Sequence, residues 1–360
     1  MSLPKGFLLS GIHCGIKRKK FDLGLISSQE KLLACGVFAT NKNLSYSVVV
    51  SKKNIKNPIK AVLVNSGNAN CYSHHTGLKD TEEIVAKLAK HLGVKKANIL
   101  IASTGIIGKK LPKEKIINSL PKLIKSLGKK EASFARSILT TDTFTKTAKA
   151  GVNKATIVGF AKGAGMIFPN MATMLGFILT DAKLPGSALK SIFKQAVDES
   201  FNSISVDGCA STNDTVFVLS SGKVALKSKG EIELFSQKLK GVCLSLAKMI
   251  IKDGEGATKF VTIKIKGAKN KQEAKTGAFS LANSNLFKCA LYGANANWGR
   301  IISALGQAGI KVGENIRISS TALTKKNVEL TIDLKRGKSS WQVYTCDLTP
   351  KYVEINAEYS

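Results

Sequence analysis

The sequence predicts an α/β or α+β fold, and three observations carry that expectation. Short apolar runs rich in β-branched residues alternate with longer segments whose apolar positions recur every three to four residues. Gly-, Asn- and Ser-containing turn signals separate them. The composition, 44% hydrophobic and 22% charged over 360 residues, is that of a globular chain with ample core for two or three compact units.

Taken in order, the elements read as follows. The opening MSLPKGFLLSGIHCGIKRKK lacks a charged-then-apolar order and a cleavage site, so no signal peptide and a cytoplasmic protein are expected. Residues 44–50 and 61–64 read as strands, the second ending at the turn Asn65-Ser66-Gly67-Asn68. Asp80 and Glu83 form a capping box for a helix whose apolar face is Ile84, Val85, Leu88 and Leu92, stopped by Gly93. A short buried strand, 98–102, leads into Ser103-Thr104-Gly105. Strands at 155–161 and 174–179 bracket a glycine-punctuated loop. Pro185-Gly186-Ser187 opens a helix with Leu189, Ile192, Phe193, Ala196 and Val197 on one face. A strand at 215–219 and a long amphipathic helix at 231–251 follow. After Asp253-Gly254-Glu255-Gly256 the texture changes. A strand at 261–265, helices around 280–291 and 299–308, and strands at 328–334 and 341–345 suggest a smaller α/β unit. The tail, 352–359, reads as one more strand.

Several function classes are disfavoured. No stretch reaches 18 uninterrupted apolar residues; the longest candidate, 157–179, contains Lys162, Pro169 and Asn170, so no membrane span is expected. The net charge of +31 would suit a nucleic acid or an anionic surface. The lysines are spread along the chain, however, with modest clusters at 17–20 and 109–130, and aromatic residues amount to 6% with no interleaved stacking platform. A solvated, lysine-rich surface is the favoured reading. Seven scattered cysteines without a CxxC pair, and only four histidines, predict reduced thiols and neither a zinc site nor a disulfide framework. No metal and no cofactor are expected. Gly105-Ile-Ile-Gly108-Lys109-Lys110 lacks P-loop spacing, and Gly163-Ala-Gly165 lacks the third glycine of a dinucleotide fingerprint. There is no GxSxG elbow, and His74-His75 have no acidic ligand at metal spacing.

With the usual catalytic bases scarce, Thr173 in PNMATMLGF gains interest. Alone it reads as the join between a loop and a core strand. A threonine can nevertheless act without histidine if its own α-amine is the base, which requires the preceding bond to be cut. Its hydroxyl would attack the Ala172 carbonyl, shift the acyl group to oxygen and leave an ester for water to hydrolyse. The amine released titrates near about 8, suited to taking the hydroxyl proton. Ala172 is small, and Gly163 and Gly165 allow a strained approach.

The segment KGAGMIFPNMATMLGFILTDA resembles the self-cleavage segment of the glutamate N-acetyltransferases of arginine biosynthesis, also called ornithine acetyltransferases. VNSGNAN (64–70), ASTGIIG (102–108), LTTDTF (139–144), VDGCASTNDT (206–215), DGEGATKF (253–260), NWGR (297–300) and INAEYS (355–360) match the family in order. They span nearly the whole chain. The resemblance implies a layered α/β sandwich of the type shared with self-cleaving aminopeptidases, with a smaller C-terminal α/β domain. It implies a main catalytic domain at 1–258, cut between Ala172 and Thr173, to which the tail 346–360 returns, and a smaller domain at 259–345. Thr173 would carry the acetyl group from N2-acetylornithine to glutamate in ping-pong order, and acetyl-CoA is a further donor in prospect. Thr104 and Gly105 match the pair that stabilises the oxyanion. Thr143, Lys162, Glu255 and Asn356 match substrate-binding positions, and Ser360 stands at the terminal substrate contact. The two cleavage chains would assemble as a heterotetramer of two α and two β chains, with no nucleic-acid or membrane partner. The rival expectation is a self-cleaving aminopeptidase or amidase that passes the acyl group to water.

Overall fold

The computed structural model describes residues 2–73, 75–168 and 174–358. The chain divides into two compact units, one of Met1–Gly163, Asn170–Asn202 and Ala210–Ala247, the other of Ala164–Pro169, Ser203–Cys209 and Lys248–Ser360. The second unit therefore begins before the expected boundary at 258, takes two short pieces from earlier in the chain, and keeps the tail.

The first unit contains β1 (Phe7–Ile12), β2 (Leu23–Phe38), α1 (Tyr46–Asn54), β3 (Ile59–Asn68), α2 (Gly77–Leu92), β4 (Ile99–Ile106), α3 (Lys113–Lys125), α4 (Glu131–Ser137), β5 (Lys146–Val152), β6 (Ala155–Lys162), β7 (Leu175–Lys183), α5 (Gly186–Asp198), β8 (Thr215–Ala225) and α6 (Lys229–Lys252) up to Ala247. The strands run β4-β3-β2-β8-β7-β6-β5, with β1 also paired to β2. Only β3–β4 and β7–β8 are parallel among these pairs. The long β2 joins the two halves, pairing with β3 through Leu23–Ser27 and with β8 through Leu33–Phe38, and its register breaks between Ser27 and Leu32.

The layers follow from the two-residue period of a strand. Leu25, Leu63, Ile99 and Ile101 pack with Ile84 and Leu88 of α2 and Ile116 and Leu120 of α3. Their neighbours Ile26, Val62, Leu100 and Ala102 share a cluster with Phe160, Phe177, Leu179, Phe217 and Leu219 from the other half of the sheet. Phe134 of α4 sits in that cluster, edge-on to Phe160 at 5.3 Å and to Phe177 at 5.5 Å. On the far face, α6 lies so near β6 that a Cβ at Gly159 would stand 2.7 Å from Leu246 Cδ1 and 2.9 Å from Val242 Cγ1. The result is a helix–sheet–sheet–helix sandwich, the layered α/β class expected.

Four local expectations are corrected. Residues 44–50 begin a helix, α1, not a strand. Its buried face is Ser47, Ser51 and Asn54 with Val48 and Val50, so the apolar run gave the wrong period. Ser51 Oγ donates to Ile101 O at 2.7 Å and Asn54 Nδ2 to Ile99 O at 2.9 Å, tying the helix to the first residues of β4. The Asn65–Asn68 stretch is the continuation of β3 and not a turn. Helix α2 starts at Gly77 after Thr76, ahead of the expected capping box; Asp80 lies in its first turn and accepts from Thr76 Oγ1 at 2.8 Å. Gly93 ends it with φ 65°, as expected of a left-handed cap. Residues 109–130, noted only for their lysines, contain α3 with Ile116, Leu120 and Leu123 buried on one face.

The second unit contains β9 (Phe260–Ala268), α7 (Lys271–Ala282), α8 (Asn285–Tyr292), α9 (Gly299–Gln307), β10 (Arg317–Ser320), β11 (Asn327–Asp333), β12 (Ser339–Cys346) and α10 (Pro350–Glu358). Its sheet runs β10-β11-β9-β12. Val261, Ile263 and Ile265 alternate inward on β9 and meet Ala274, Ala278, Leu281, Ile301 and Leu305 of the helices. The single helix expected at 280–291 is two, because Ser284 caps α8 by accepting from Phe287 N at 3.3 Å. The tail is helix α10 and not a strand. Pro350 opens it, where a missing N–H costs nothing.

Candidate active site

In the first unit the described candidates Thr104, Gly105 and Lys162 stand at the ends of β4 and β6. Thr104 and Gly105 lie at the end of β4, opposite Ser66 and Gly67 of β3 in parallel register, where an irregularity pairs Asn68 with both Thr104 and Ile106. Gly105 has φ +132°, and a Cβ there would stand 2.3 Å from Gly67 C and 2.5 Å from Asn68 N. No other residue fits. Side chains beneath brace this turn. Ser103 Oγ donates to Asn65 Oδ1 at 2.6 Å, and Asn213 Nδ2 donates to Ser103 O at 2.8 Å and to Ala69 O.

Lys162 is the last residue of β6, opposite Leu175 of β7. It is buried, 2% exposed, and its Nζ donates to Thr104 Oγ1 at 3.1 Å. A buried ammonium group needs a counter-charge, and Asp142 provides one. Burial on its own would raise the Asp142 carboxyl, but the charges of Lys162 and Lys146, together with the Gly163 N–H, hold it down to about 2. Asp142 Oδ1 accepts from Lys146 Nζ at 2.6 Å and from Gly163 N at 2.7 Å, while Oδ2 accepts from Thr140 N at 3.0 Å. Thr143, the next residue, is exposed in the loop before β5. Lys17 is pulled down to about 8, chiefly by burial, with Lys162 adding to it against the opposing pull of Asp22.

Ala172, Thr173 and Ser360 lie outside the described residues. The residue after Thr173 is well anchored. Met174 N donates to Asp214 Oδ1 at 2.9 Å, and Thr215 N donates to Met174 O at 3.2 Å. Asp214 is fully buried. Burial raises its carboxyl well above the ordinary carboxylate range, against the Met174 N–H, the Lys162 charge and the Ser211 hydroxyl.

In the second unit Glu255 and Asn356 come together. Asn356 Nδ2 donates to Glu255 Oε2 at 2.9 Å and to Tyr352 O at 2.9 Å. Glu255 N donates to Ala164 O at 3.0 Å. A Cβ at Gly165 would lie 2.2 Å from Glu255 Oε2, so that glycine lets a carboxylate lie flat on the chain. Met166 N and Ile167 N donate to the two oxygens of Asp207 at 2.5 and 3.0 Å, and Tyr352 OH donates to Asp207 Oδ2 at 3.2 Å.

Each unit thus assembles part of the expected set: Thr104, Gly105 and Lys162 in the first, Glu255 and Asn356 in the second. Sequence reasoning gave no role to Asp142 or Asp214, although both stand inside quoted motifs. Among the described residues no helix is long and apolar enough to cross a membrane.

A family model described as the ArgJ family matches residues 8–360. The arginine biosynthesis bifunctional protein ArgJ of Thermotoga neapolitana is 39% identical, covering 100% of both chains. The glutamate N-acetyltransferase of Methanococcus vannielii is 38% identical, covering 100% of this chain and 97% of that one. A crystal structure of the arginine biosynthesis bifunctional protein from Bacillus halodurans is 37% identical over 51% of this chain and 98% of its own, with a TM-score of 0.48.

Proposed function

The chain belongs to the ArgJ family, and on that premise we propose that Thr173 carries the acetyl group in its acyl transfer. The protein is an acyltransferase of arginine biosynthesis, a glutamate N-acetyltransferase that moves acetyl from N2-acetylornithine to glutamate. Acetyl-CoA is a further donor to test. In the proposed cycle the Thr173 hydroxyl attacks the acetyl carbonyl, its α-amine having taken the hydroxyl proton. Ornithine leaves, and glutamate then attacks the acetyl ester. The Thr104 hydroxyl and the Gly105 N–H steady the oxyanion of both tetrahedral intermediates. The contact that best supports this is Lys162 to Thr104. A lysine donating to Oγ1 occupies that oxygen as an acceptor and leaves the hydroxyl proton free to point at an oxyanion.

Lys162, Thr143, Glu255, Asn356 and Ser360 take the substrate-binding roles. The Glu255 carboxylate suits the ammonium group of ornithine. Thr173 becomes N-terminal by cleavage of the Ala172–Thr173 bond, and the two resulting chains form the working enzyme as a heterotetramer in the cytoplasm.

One experiment tests the cycle. Purified enzyme given N-acetylornithine alone should acquire one acetyl group on the 173–360 chain by mass spectrometry, and glutamate should discharge it as N-acetylglutamate. Release of free acetate at the same rate without glutamate would favour the amidase alternative. A chain that is never acetylated while transfer proceeds would remove Thr173 as carrier.

A further inference from the structure

Resting on the reading of Glu255 and Asn356 as contacts for the ornithine side of the substrate, we propose that Asp207 and Tyr352 are positioning residues that hold the Glu255 carboxylate where an ammonium group meets it. All four belong to the second unit. No described side chain of α10 is buried. Apolar packing therefore does little to fix which way the helix turns its face, and polar contacts decide it. Thr349 Oγ1, just before the helix, donates to Gly256 O at 2.7 Å, Tyr352 OH to Asp207 Oδ2 at 3.2 Å and Asn356 Nδ2 to Glu255 Oε2 at 2.9 Å. Tyr352 and Asn356 are one turn apart and share a face; Asn356 Nδ2 also donates to Tyr352 O at 2.9 Å.

Asp207 joins that face to the chain on which Glu255 rests. Its Oδ2 accepts from Met166 N at 2.5 Å as well as from the tyrosine, and its Oδ1 accepts from Ile167 N at 3.0 Å and Cys209 N at 3.1 Å. Met166 has φ 55°, a left-handed conformation that is uncommon for a residue with a side chain. Two successive N–H groups on one carboxylate hold that bend. The bend follows directly on the stretch beneath Glu255. There Glu255 N donates to Ala164 O at 3.0 Å, and the Glu255 carboxylate fills the space a Gly165 side chain would take. One carboxylate thus fixes Glu255 from two sides, through residues 164–167 and through Asn356 of α10.

Attachment of the helix does not account for the tyrosine hydroxyl. The start of α10 is held without it, by Thr349 and by a close approach in which a Cβ at Gly256 would stand 2.5 Å from Tyr352 N. Phenylalanine would fill the same space as the ring. Burial, and after it the charge of Asp207, push the Tyr352 phenol well up, so the hydroxyl keeps its proton and remains a donor to the carboxylate.

The test is ornithine binding to the purified enzyme by titration calorimetry, beside a thermal melt, so that no step of the acyl transfer enters the result. Tyr352→Phe should melt within about 2 °C of wild type yet bind ornithine about tenfold more weakly, the scale of one hydrogen bond to a charged group. Glu255→Gln should weaken binding as well, and Tyr352→Phe should add little in the Glu255→Gln background, because both act through one carboxylate. Asp207→Asn keeps an acceptor oxygen but loses the charge; it should behave as Tyr352→Phe does, and it decides the matter if that variant melts low. Unchanged ornithine binding in a folded Tyr352→Phe, beside a weakened Glu255→Gln, overturns the proposal. So does a fully additive loss in the double variant, which would mean that the hydroxyl acts without Glu255. Unchanged binding in Glu255→Gln would instead remove the Glu255 reading itself, and this proposal with it.

Discussion

Thr104 and Lys162 are each unremarkable as residue types; their contact is what matters. Thr104→Val keeps the volume and removes the hydroxyl. It should lower kcat by roughly 10²–10³, the usual loss for one oxyanion donor. Lys162 would lose an acceptor, at a cost of about 1–3 kcal/mol, which a domain of ordinary stability survives. Steady-state kinetics beside a thermal melt check both parts, and undiminished turnover would take Thr104 out of the mechanism. The residues proposed as catalytic or substrate-binding were legible because they stand inside recognisable motifs. Asp142 and Asp214 stand in motifs too, in LTTDTF and VDGCASTNDT, yet had no visible role. An acid among small polar residues reads as solvated, and nothing local says that Lys146 and Lys162 surround one of them or that Met174 meets the other.

At the scale of elements, the errors were errors of period and context. The valines of α1 suggested a strand, while its buried face is largely serine and asparagine bonded to the backbone of β4. Tertiary hydrogen bonds overrode a hydrophobic pattern. Strands β6 and β7 were readable because both of their faces are buried, giving continuous apolar runs. Gly159 within β6 looked like a weakness in a strand, and its reason lies in α6. Gly159→Ala should drive a methyl into Leu246 and Val242 and destabilise the protein by about 1–3 kcal/mol, as overpacking does. A urea titration with an unchanged slope and a lower midpoint is the expected result. An unshifted midpoint would mean that α6 can yield.

For the whole molecule the dominant sequence fact is charge, 55 Lys and Arg against 24 Asp and Glu. Self-repulsion on that scale opposes compactness and is screened by salt. The melting temperature at neutral pH should therefore rise with ionic strength, and rise more at about pH 4, where carboxylates as a class begin to take up protons and the excess of positive charge grows. A melt indifferent to salt would show that the lysines are too dispersed to matter. Asp142 adds a sharper acid limit. Its folded value, about 2, lies below its unfolded one, so its contribution is complete above the unfolded value and is lost as pH falls through about 2. Asp214 has the opposite sign, since burial raises its carboxyl; its contribution is present in acid and is lost as pH rises through the raised value.

The sequence by itself determined the family, the α/β class, most of the strands and helices, and the residues proposed as nucleophile, oxyanion donors and substrate contacts. Those properties are local: a period, a turn residue, a motif of adjacent residues. Tertiary structure decided why Gly105 must be glycine, since a Cβ there would meet backbone across a strand pair, and what Gly159 and Gly165 face, side chains distant in the chain. It also decided which acids are buried, because burial depends on what packs over a residue and not on its neighbours in the chain. The charge state of Asp142 and Asp214 could be read only once Lys162 and the ends of β6, β7 and β8 had been brought together.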